Sequence, residues 1–63
     1  MTAPRKPGHH PKPGDVVRKT DGPITGTITV IRVEYGDVTT TAGVFYLSDW
    51  RKLMADAEVL HVA

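Results

Sequence analysis

The chain contains no cysteine. Disulfides, thiolate metal sites and thiol nucleophiles are therefore all excluded. Long apolar runs are absent too: none approaches the roughly 20 residues that a membrane-spanning helix needs. Aromatic residues are scarce, and Tyr35, Phe45, Tyr46 and Trp50 are the whole supply. The basic start lacks the apolar stretch of a secretory signal, so the chain reads as cytoplasmic.

Groups that do chemistry are equally thin. His9 and His10 fall in a proline-rich opening and His61 falls near the other end, so no Ser-His-Asp set converges on one pocket. A metal held by His9, His10 and a carboxylate would have no rigid groups behind its ligands. Gly14, Gly22, Gly26, Gly36 and Gly43 are spaced as turn residues, and none opens a helix as a phosphate loop does. Asp15, Asp21, Asp37 and Asp49 sit at turns or element ends, where Asp bonds nearby backbone. The sequence thus points to no catalytic residue, no metal, no cofactor and no enzyme.

What is present is a succession of short β-branched segments. Pro13-Gly14 leads into Asp15–Thr20, a first strand with one valine of Val16-Val17 facing inward. Asp21-Gly22-Pro23 is a turn. Ile24–Val33 is the strongest strand signal, rich in Ile, Thr and Val. Ile24, Ile28 and Val30 share one face while Ile31 and Val33 lie on the other. A small protein cannot bury both faces, so a bulge is predicted near Val30-Ile31. Glu34-Tyr35-Gly36-Asp37 makes the next hairpin. Val38–Thr41 is polar enough for a solvent-facing edge. Val44–Leu47 is a fourth strand, with Phe45 and Leu47 inward and Tyr46 outward. Trp50, Leu53, Met54 and Ala57 then follow the i, i+3, i+4, i+7 spacing of one helical face, with Ser48 as the N-cap. Val59–Val62 is a last strand, placed to pair with the first.

Charge divides the chain. Residues 1–13 contain Pro4, Pro7, Pro11 and Pro13, the cations Arg5, Lys6 and Lys12, and no acid. With almost nothing apolar to bury, they read as a disordered basic tail. Residues 14–63 form the domain. There Arg18, Lys19, Arg32, Arg51 and Lys52 face all seven acids, which makes the folded part mildly acidic. So small a core predicts marginal stability, as a monomer or a weak homodimer.

The order of these elements resembles an SH3-like barrel: all-β, five antiparallel strands, one short helix before the last strand. More narrowly, Gly14-Asp15-Val16-Val17-Arg18, Gly22-Pro23 and Thr29-Val30 resemble the opening of the small YodC-like bacterial proteins. Those tend to carry a Cys and a Trp-Phe pair in the third strand, where this chain has Asp37-Val38-Thr39-Thr40-Thr41. A fainter likeness, on the same Gly-Asp-Val-Val strand, is to MazF-type ribonuclease toxins, whose catalytic positions find no counterpart here. The barrel resemblance implies a non-enzymatic protein-binding module, an adaptor or regulator such as bacterial and phage accessory proteins. The residues expected to meet a protein partner are Tyr35, Tyr46, Arg32 and Arg51. The alternative is nucleic-acid binding by Arg5, Lys6, Lys12, Arg18, Lys19 and Lys52, with phosphate contacts from the tail.

Overall fold

The computed structural model describes residues 5–63. It contains β1 (Val16–Lys19), β2 (Gly26–Glu34), β3 (Asp37–Thr40), β4 (Gly43–Tyr46), helix α1 (Leu47–Leu53) and β5 (Glu58–His61). The strands form one antiparallel sheet in the order β4-β3-β2-β1-β5. The predicted pairing of the last strand with the first is present, with Val17 opposite Val59 and Arg18 opposite Glu58. The sheet does not close, so β4 and β5 remain its edges where a closed barrel was expected. The chain passes from β4 directly into α1, which packs over β3 and β4, and no ladder joins β4 to β5.

The core is Val17, Ile28, Val30, Val38, Trp50 and Met54, with Phe45, Leu47 and Leu53 packed against it. The bulge lies where the apolar pattern placed it: the β2–β3 register shifts between Val30 and Arg32. Val30 stays buried, Ile31 turns out at 56 % exposure, and Val33 comes back to the core. One strand thereby bends around the core without burying both of its faces.

Three further features depart from the sequence reading. β3 is not a solvent-facing edge, because it lies between β4 and β2. Val38 fills the core, and the Thr40 hydroxyl donates to Gly43 O (2.8 Å) and accepts from Ala42 N–H (3.0 Å), so its burial leaves no orphan polar atom. Ser48 does not cap the helix. Tyr46 is the N-cap residue, and the Leu47 N–H instead bonds Gly36 O of the neighbouring hairpin (2.8 Å).

The third departure concerns the opening segment. Residues 1–4 lie outside the described residues, but residues 5–13 lie against the fold as an arm. Pro7 and Pro11 are buried, and the Trp50 Nε1–H donates to Pro7 O at 2.9 Å. A buried indole needs an acceptor, and this segment supplies it.

Candidate functional site

Asp15 fixes the arm against the sheet. Its side chain is fully buried. It accepts two hydrogen bonds from Arg5 (2.5 and 2.7 Å), one from Lys12 N–H (2.7 Å) and one from Ala63 N–H (2.8 Å). Arg5 also donates to His10 O and Ala63 O. Burial pushes the Asp15 carboxyl up, but the Arg5 guanidinium and the two backbone N–H groups together hold it below the usual carboxylate range. One carboxylate therefore joins both ends of the described chain to the start of β1. The sequence assigned Asp15 to a turn; its local bond to Lys12 N–H fits that, and the long-range bonds had no sequence signal.

The two tyrosines lie at the same end of the sheet, with no contact between their rings. Tyr35 sits at the β2–β3 tip in a left-handed conformation (φ 53°), followed by Gly36 at φ 78°. Two consecutive positive φ values make the tight hairpin whose twist suits flanking strands. Tyr35 is 98 % exposed. Tyr46 is opposite Asp37 in the β3–β4 register, and the Gly36–Leu47 backbone bond ties its neighbour to the Tyr35 turn. Tyr46, Val44 and Phe45 line a groove of about 370 Å³ with Asp37 and Asp49. Tyr46 and Val44 are exposed there on the edge strand.

The arginines expected beside these tyrosines lie elsewhere or are engaged. Arg32 is ion-paired to Glu34 at 2.7 Å. Arg51 donates its Nε–H to His9 O at 2.8 Å and lines a second cleft, of about 550 Å³, under the arm. Asp37 and Asp49 are the ionisable partners of the aromatic groove instead, although in sequence both read as residues of turns or element ends. Strand register is what brings them to Tyr46, and register is set by the fold.

The six cations of the nucleic-acid alternative scatter. Arg5 is bound to Asp15, Arg18 pairs with Glu58, and Lys19 pairs with Asp56 and approaches Asp21 at 3.9 Å. Lys19 is nearly buried along its stem and delivers its ammonium to Asp56, which holds that carboxyl below its ordinary value. Lys6 lines the second cleft, while Lys12 and Lys52 are exposed. His9 and His10 stack edge to face, and among the described residues no three His, Asp or Glu side chains gather to hold a metal. None of the described helices is long and apolar enough to cross a membrane.

No protein-family model matches the chain, and no curated protein or solved structure matches it.

Proposed function

We propose that the protein is a cytoplasmic, non-enzymatic binding module of the SH3-like kind, and that it takes an extended basic segment of a partner protein across Tyr35 and Tyr46. The observation that carries this reading is Tyr35. A bulky side chain stands almost fully exposed at a left-handed turn position that Asn or Gly would occupy without strain. A large apolar surface placed at a conformational cost, beside a second exposed tyrosine, is suited to a partner. The Tyr46 ring, in one groove with Asp37 and Asp49, suits arginine or lysine stems and proline faces. The open β4 edge offers unpaired backbone groups along the same groove. The likeness of residues 14–30 to YodC-like proteins agrees with a small accessory role.

Nucleic-acid binding is the weaker reading, since Arg5, Arg18 and Lys19 already have carboxylate partners.

The test is fluorescence anisotropy with two labelled peptides of equal length, one of Arg-Pro composition and one of Glu-Pro composition. The basic peptide is expected to bind and the acidic one not. The double variant Tyr35→Ala/Tyr46→Ala is expected to lose that binding. Undiminished binding by the double variant would remove the proposal.

A further inference from the structure

The second cleft, under the arm, has a different character. Its floor is Met54, Ala55, Ala57 and Val59, and its ionisable lining is Lys6, His9 and Arg51. Four cations elsewhere on the molecule, Arg5, Arg18, Lys19 and Arg32, have a carboxylate partner. Among the described residues, Lys6, His9 and Arg51 have none. His9 itself is held toward its neutral form, its pKa lowered by lost hydration first and then by Arg51, His10 and Lys6.

The cleft is also held in shape. Trp50 bonds Pro7 O, Arg51 bonds His9 O, and Arg5 grips Asp15, so the arm that forms one wall is fixed at three points. Gly8 lets that wall approach the end of α1, where a Cβ would stand 2.6 Å from Met54 O. About 550 Å³ lies within the range of small-molecule sites, which combine an apolar lining with a few fixed polar groups.

We propose that this cleft binds a small amphipathic carboxylate, with its anionic head between Lys6 and Arg51 and its short aliphatic body on Met54, Ala55, Ala57 and Val59. Arg51 is anchored through Nε, which leaves the outer guanidinium nitrogens to meet a carboxylate in their natural fork. The apolar floor distinguishes the ligand from a bare anion, and the cationic rim distinguishes it from an alcohol. The site shares no lining residue with the Tyr46 groove, so neither proposal depends on the other.

The test is a titration of the ¹⁵N-labelled full chain with sodium hexanoate, followed at the amides of Gly8, Ala55 and Ala57. Hexanol and acetate serve as the two halves of the ligand. Hexanoate is expected to shift these amides saturably and to bind at least about tenfold more tightly than either half. The Lys6 side chain is exposed and has no bonded partner among the described residues, so Lys6→Gln leaves the fold intact. That variant is expected to weaken hexanoate about tenfold. Hexanol binding as tightly as hexanoate, shifts confined to residues outside the cleft, or full affinity in Lys6→Gln would each overturn the proposal.

Discussion

At the scale of single residues, Asp15 and Tyr35 carry opposite burdens. Asp15 is buried and satisfied, and its removal strands Arg5. Asp15→Asn is expected to cost about 1–3 kcal/mol, because an amide puts a donor where the buried carboxylate accepts from Arg5 and two backbone N–H groups. Urea unfolding would measure it. The sign of the pH effect follows from the depressed folded-state pKa values of Asp15 and Asp56. Their contribution is complete above the ordinary Asp value near about pH 4 and is lost as pH falls through the lower folded values. The urea midpoint is therefore expected to drop below about pH 4, and to drop less in Asp15→Asn. Tyr35 is the reverse case, exposed and conformationally costly. Tyr35→Asn is expected to stabilise the fold by about 1 kcal/mol, since Asn tolerates the left-handed region, and to weaken the basic peptide in the anisotropy assay. A variant that is more stable and still binds fully would show that the ring has no part in recognition.

At the scale of elements, packing against the arm sets the tightest constraint. Gly8→Ala would force a Cβ into Met54 O at the end of α1, where backbone cannot yield cheaply. Overpacking of this kind is expected to cost about 1–3 kcal/mol, with loss of amide protection at His9 and His10 read by hydrogen exchange. Much of the element plan was legible in the sequence. Ile28, Val30, Ile31 and Val33 could not all face one core, and the bulge that resolves them lies between Val30 and Arg32. The spacing of Trp50, Leu53 and Met54 marked the helix. The rest depended on partners distant in sequence. Polar β3 looked like an edge because its composition hides Val38 and the internally bonded Thr40. Ser48 looked like a cap because the Gly36 carbonyl that serves Leu47 comes from another hairpin.

At the scale of the whole molecule, an open sheet of five strands holds two clefts of contrasting charge, one acidic and aromatic, the other cationic and apolar. The aromatic groove was half legible: Tyr46 alternates outward along its strand, but the acids around it are brought there by register. The cationic cleft was not legible, because one of its walls is an arm with almost no apolar residues. Composition records what a segment can bury itself, and here the arm supplies a carbonyl to Trp50 and a guanidinium to Asp15. The arm is thus part of the fold. Trp50 is the single tryptophan and reports on it directly. The decisive measurement is urea unfolding followed by Trp50 fluorescence, comparing the full chain with one lacking residues 1–13. The truncated chain is expected to unfold at lower urea, with its native emission shifted to the red as the indole loses Pro7 and meets water. Identical midpoints and identical native emission would show that residues 5–13 are a detached tail.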